Sequence, residues 1–135
     1  MLAEAFVDTS FVVALVNKND QHHEQALELT DEFDSHDLVT TDAVLLEIGS
    51  ALSRNFKPQS IEIIEHFLTA DDVRVIHLNP SLFKKAFDLY RSHADKFWGL
   101  VDCVSFVVMG ELKIVDALSS DKHFAQAGFN PRMRS

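Results

Sequence analysis

With 135 residues, 47% of them hydrophobic, the chain has the length and apolar content of one domain spanning 1–135. Its 21 acidic residues against 12 basic ones give a net charge of −9, which excludes binding that rests mainly on a broad basic surface. A nucleic-acid role therefore requires metal ions or a local basic strip, and the single Cys103 excludes an intramolecular disulfide.

Cysteine usage fits a reducing compartment, so the cytoplasm is the expected location. The opening stretch MLAEAFVDTSFVVALVNKND has no basic region, and Glu4 and Asp8 interrupt its apolar run, so it reads as core rather than as a signal segment. No run approaches a membrane span, and no membrane is expected as a partner. Repeats and Pro/Gly-rich linkers are absent.

In chain order, AEAFVD predicts a short strand and TSFVVALVN a helix capped by Thr9 or Ser10. DQHHEQALELTDEFDSHD places Ala26, Leu27, Leu29 and Phe33 near one side of an amphipathic helix. DLVTT is a second strand. TDAVLLEIGSAL has Val44, Leu45, Ile48, Ala51 and Leu52 at helical spacing, and Pro58 starts another helix through QSIEIIEHFL. VRVIHL predicts a third strand, and NPSLFKKAFDLYRSHA a helix with Asn79 as cap and Pro80 in its first turn. LVDCVSFVVMGEL is apolar nearly all round, as in a helix buried on most sides, and KIVDAL resembles a buried parallel strand. Strands separated by helices imply βαβ units. The expected class is α/β, a three-layer sandwich with a central, mostly parallel sheet flanked by helices.

In such sheets ligands bind beyond the carboxyl ends of the strands. Asp8 ends the first strand, Asp121 follows the last, and Asp102 heads the apolar helix, so all three map to that edge. Glu47 rides beside the apolar stripe of its helix, three residues after Val44 and four before Ala51, where a carboxylate is costly unless paired or metal-bound. Each has an ordinary alternative: a turn residue at Asp8, helix caps at Asp102 and Asp121, an edge or Arg-paired position for Glu47. Taken together, four acidic residues at one edge argue for a single anionic cluster. Such a cluster needs cations, and hard oxygen donors suit Mg²⁺ or Mn²⁺ better than zinc. The chemistry that uses several carboxylates and no protein nucleophile is metal-assisted phosphodiester hydrolysis.

The stretches FVDTSFVVAL, LLEIGSAL, WGLVDCVSFVVM and ALSSDKHFAQAGF closely resemble PIN-domain ribonucleases of the VapC toxin type, in the same order and over nearly the whole chain. The resemblance implies that Asp8, Glu47, Asp102 and Asp121 are the metal-binding catalytic quartet. It implies a Mg²⁺- or Mn²⁺-dependent endoribonuclease acting on RNA, dimeric, and held inactive by a cognate antitoxin whose C-terminal segment occupies the groove. Two departures stand out. Gly99 and Val101 occupy positions where many relatives have Ser and Thr, and Asp42 stands where relatives carry a small polar residue; Asp42 is either an extra ligand or a cap, and the cap is favoured.

Supporting candidates are Thr9, Ser10, Ser105 and His123. Thr9 and Ser10 could hold a metal-bound water or simply cap a helix. Ser105 shares the helical face of Asp102 or bonds back to a carbonyl, and His123 contacts phosphate or lies on the surface. His22 and His23 are adjacent and point to different sides of a helix, unlike a zinc pair. Lys84, Lys85, Arg91, Lys96, Lys113, Lys122, Arg132 and Arg134 either line the groove or are scattered, solvated charges. Phe97 and Trp98 stack on a base or a partner, or pack. The rival from another class is a non-catalytic PIN-like binding module. A receiver-like domain lacks its acid in VRVIHLNPS, and a dehalogenase-like phosphatase lacks the second Asp after DTS.

Overall fold

In the computed structural model, which describes residues 2–134, the elements follow one another as β1 (Ala5–Val7), α1 (Thr9–Val16), α2 (His23–Glu32), β2 (Leu38–Thr41), α3 (Asp42–Leu52), α4 (Lys57–Thr69), β3 (Val73–Ile76), α5 (Pro80–Ser92), α6 (Leu100–Leu112), β4 (Asp116–Leu118), α7 (Lys122–Gln126) and β5 (Asn130–Pro131). The strands form one sheet in the order β3-β2-β1-β4-β5, and every neighbouring pair is parallel. All three residues of β1 are buried, as expected for the central strand of a sheet covered by helices on both faces. This is the α/β sandwich read from the sequence.

The strand order fixes where a ligand can bind. From β1 the chain builds outward through β2 to β3, then returns to the other side of β1 to add β4 and β5. The carboxyl ends of β1 and β4 therefore lie at a topological switch point, where a crevice opens. Register sharpens this: Val7 lies opposite Leu118, and the Asp8 amide donates to the Leu118 carbonyl at 3.2 Å. Residues 8 and 119 are thereby brought side by side.

An aromatic cluster fixes the helices above this crevice. Phe106 of α6 meets Trp98 and Phe124 edge-on, at 5.1 Å in each case, and Phe124 lies 6.4 Å from Phe6 of β1. Such pairs contribute about 0.5–1.5 kcal/mol each beyond area burial. Trp98 is buried, stacks on His93 and donates its Nε1–H to Gln126 at 3.0 Å, so it packs, whereas Phe97 is 93% exposed.

Several local expectations are corrected. The cap position of α1 is Asp8, not Thr9 or Ser10, and its carboxylate makes no capping bond. α3 is capped by the Thr41 hydroxyl, which accepts from the Val44 amide at 3.1 Å; Asp42, the first helical residue, instead accepts from the Leu78 amide at 2.9 Å and lies 3.3 Å from His77. Asp42 thus ties α3 to the loop after β3. Leu27 is exposed rather than core-facing, because the buried face of α2 runs through Ala26, Leu29 and Phe33, spaced three and four residues apart, and Leu27 lies about 100° round the helix from Ala26 and about 200° from Leu29. β5 was not anticipated: two residues carry no periodicity, and their pairing with β4 is what makes them a strand.

Candidate active site

Asp8 leaves β1 in an extended conformation, 7% exposed, and its carboxylate is gripped on one oxygen. Ser10 donates to Asp8 Oδ2 at 2.9 Å and Ser119 donates to the same oxygen at 2.8 Å. Each hydroxyl also accepts a backbone amide from the loop after β4: Ser120 to Ser10 at 3.1 Å, Asp121 to Ser119 at 3.0 Å. The loop amides thus orient two hydroxyl groups at Asp8.

Glu47, on the second turn of α3, accepts from the Thr9 hydroxyl at 2.8 Å. Asp102, in the first turn of α6, accepts from the Gly99 amide at 3.0 Å, a bond that satisfies one orphan donor of that helix and suits the dipole. The absent Ser hydroxyl at position 99 is therefore not needed to orient Asp102. Asp121 caps α7 by accepting from the His123 amide at 2.9 Å. Capping and site-building coincide there. The His123 imidazole Nδ1 lies 3.2 Å from Asp102 Oδ2 and 3.4 Å from Asp121 Oδ1, so the histidine faces the cluster, and Asp102, Asp121 and His123 form a triad that could hold a metal ion.

Asp8, Glu47, Asp102, Asp121, Thr9, Ser10 and His123 all line one open cavity of about 690 Å³. Ser105 does not: it is buried, and its hydroxyl donates back to the Val101 carbonyl at 3.2 Å, as a helical serine in an apolar setting does. Two residues were missed. Asp20, from the loop after α1, also lines the cavity while accepting from the His22 amide at 2.8 Å. The polar run NKND was its only signal. Ser119, fully buried, was hidden because its partner Asp8 lies 111 residues away; the only hint was its place two before Asp121.

The electrostatics have one cause. Burial pushes the Asp8 carboxyl up to about 6, reinforced by Asp102, against the lowering effect of its serine partners. Burial likewise raises Glu47 and Asp102, with neighbouring carboxylates adding to it. Among the described residues no lysine or arginine lies within 4 Å of any of the four carboxylates; His123 alone can supply positive charge. The donor set is hard oxygen in excess of cationic partners, which fits a divalent ion such as Mg²⁺ or Mn²⁺. Cys103 offers no nucleophile, because burial and Asp102 push its thiol up to about 11.

Ser119→Ala removes a hydrogen bond to a carboxylate and is expected to cost about 1.5–3 kcal/mol of stability at neutral pH. It should also move the Asp8 titration further up, since the bond favours the charged form. Denaturant unfolding and a carboxyl-carbon NMR titration check the two effects; an unmoved Asp8 titration would contradict the assignment.

Of the remaining candidates, His23 bonds to the Ala14 carbonyl at 2.7 Å and His22 to Gln25 at 3.1 Å, so neither serves the cavity.

Comparison with known proteins shows the family and the fold. The profile of the PIN domain matches residues 5–130. The 23S rRNA-specific endonuclease VapC20 of Mycobacterium tuberculosis, from strains CDC 1551 / Oshkosh and ATCC 25618 / H37Rv, is 32% identical over 124 residues, covering 92% of this chain and 94% of the relative. The crystal structure of VapC20 from the same species, described as a sarcin–ricin loop cleaving toxin, superimposes with a TM-score of 0.82 at 30% identity, over 93% of this chain and 95% of the other.

Proposed function

Since the chain belongs to the PIN-domain family and to its VapC-type ribonucleases, we propose that it is a metal-dependent endoribonuclease in which Asp8, Glu47, Asp102 and Asp121 hold one or two Mg²⁺ or Mn²⁺ ions. The observation that carries this reading is the convergence of four carboxylates, three of them with raised pKa values, on one cavity at the switch point of the sheet. Bound divalent ions supply an acidified water and neutralise charge on the phosphate and the leaving oxygen.

The chain's own contribution is positional. Ser10 and Ser119 fix Asp8, Thr9 fixes Glu47, the Gly99 amide fixes Asp102, and the His123 amide fixes Asp121. Partners that orient metal ligands in this way typically affect metal affinity or activity by about 10–100-fold. No covalent intermediate is involved: both serine hydroxyls donate to a carboxylate, and Cys103 stays protonated. Four carboxylates in one cavity favour this reading over a purely binding module.

The remaining partners belong to the same proposal. An antitoxin would place a Lys or Arg side chain in the anionic cavity, where it would compete with the metal. A homodimer, supported by the family, and a cytoplasmic setting, supported by cysteine usage, are part of the proposal; no helix among the described residues is long and apolar enough to cross a membrane. VapC20 is named for 23S rRNA and its sarcin–ricin loop, so an RNA copy of that loop is the first substrate to test. The purified chain is expected to cut RNA with Mn²⁺ or Mg²⁺ and to stop when EDTA is added. Cleavage that persists in EDTA, or no cleavage of any RNA with either ion, would refute the proposal.

A further inference from the structure

The cations of this chain fall into two groups. Arg74, Lys84, Lys85, Arg91, Lys96 and Arg132 each lie within 4 Å of a carboxylate: Arg74 on Glu4, Lys84 and Arg91 on Asp88, Lys85 on Glu111, Lys96 on Asp95, Arg132 on Glu32. These pairs include five of the residues that the sequence offers as a basic strip, and their charge is spent locally. Lys18, Arg54, Lys57, Lys113, Lys122 and Arg134 are exposed and, among the described residues, have no carboxylate within 4 Å.

Four of the second group, unlike Lys57 and Lys113, lie beside residues that line the acidic cavity. Lys18 lies two residues before Asp20, which lines it. Arg54 lies one helical turn beyond Ser50 and Ala51, which line it from α3, and the intervening Ser53 keeps helical geometry. Lys122 directly follows Asp121. Arg134 donates from its guanidinium to the Ser120 carbonyl at 3.1 Å, and Ser120 lines the cavity too. That bond seats the guanidinium at the lip and leaves other N–H groups for an anion. Four segments remote in sequence thus bring unpaired cations to the margin of a cavity whose interior is anionic.

We propose that Lys18, Arg54, Lys122 and Arg134 form a ring that grips the RNA backbone on either side of the phosphate being cut. The proposal rests on the ribonuclease reading above and adds how a chain of net charge −9 holds a polyanion. Carboxylates and their metal would handle one phosphate; the flanking phosphates, which the cluster repels, need cations that are not already neutralised. The free ring supplies them, and the paired cations of α5 do not.

The test is equilibrium binding of the full chain to a short, fluorescein-labelled, single-stranded 2′-O-methyl RNA, followed by anisotropy between about 50 and 200 mM salt with Ca²⁺ as the divalent ion. Lys122→Ala and Arg134→Ala are each expected to weaken binding several-fold and to reduce the slope of log affinity against log salt by about 0.7. Lys85→Ala and Arg74→Ala, which remove paired cations, should leave the slope unchanged. Exposed sites such as these change stability by less than about 0.5 kcal/mol, so folding does not confound the readout. Slopes that do not move for Lys122 and Arg134, or that move equally for Lys85, overturn the ring. Unaltered RNA affinity together with lost binding of poly-glutamate would overturn it in favour of an acidic protein partner. Failure of the ribonuclease reading looks different: wild-type protein inert towards RNA in Mn²⁺, whatever the salt slopes.

Discussion

Asp8→Asn is expected to lower RNA cleavage by at least about 100-fold while making the metal-free protein more stable at neutral pH. Losing a partner that merely orients a metal ligand already costs about 10–100-fold, and losing the ligand itself costs more. The stability gain has a separate origin. Asp8 is 7% exposed, and burial lifts its carboxyl from 3.8 to about 6. Between about pH 4 and pH 6 the folded protein keeps a proton that the unfolded chain releases, so wild-type stability falls as pH rises through that window and stays lower above it. A shift of this size corresponds to about 3 kcal/mol. Asparagine is neutral throughout and still offers an oxygen to Ser10 and Ser119. Thermal unfolding in EDTA at about pH 5 and about pH 8 checks this. The variant should melt several degrees higher than wild type at the upper pH, and a lower melting temperature there would contradict the assignment.

Adding Mn²⁺ should reverse the sign of that pH dependence. Glu47 and Asp102 are raised in the same direction as Asp8, so all three oppose folding when ionised and unpaired. A divalent ion binds the ionised form of the folded site, and at about 100 times its dissociation constant it stabilises by about 3 kcal/mol. The increment should be larger at about pH 8 than at about pH 5, because protons compete for the same oxygens. It should vanish in an Asp8→Asn, Asp102→Asn double variant. A melting temperature indifferent to Mn²⁺ at the higher pH would remove the metal from this site.

Three of the four carboxylates were legible because each sits at a junction that local rules already mark: the end of a strand, the start of an apolar helix, the cap of a short helix; Glu47, inside α3, was legible as a carboxylate beside an apolar stripe. Asp121 is the clearest case, since its capping bond to the His123 amide and its place in the cavity are one geometry. Pairings between remote segments were not legible. Ser119 acquires its role from the parallel register that sets Val7 against Leu118, and no spacing in the sequence records that register. Asp20 reaches the cavity through a loop whose path depends on packing. Ser105 failed for another reason. Counting three residues from Asp102 gave the correct face, but an isolated hydroxyl among apolar neighbours turns to its own helix's carbonyl. At Asp42 the preceding Thr41 took the capping role, which freed the carboxylate for the loop after β3.

The strand that completes the crevice, β4, lies at residues 116–118, and Asp102 and Asp121 flank it in sequence. A polypeptide halted before that point has Asp8, Glu47 and Asp102 but neither the wall beside β1 nor Asp121. The acidic cavity is therefore incomplete until β4 and the loop carrying Asp121 have been made.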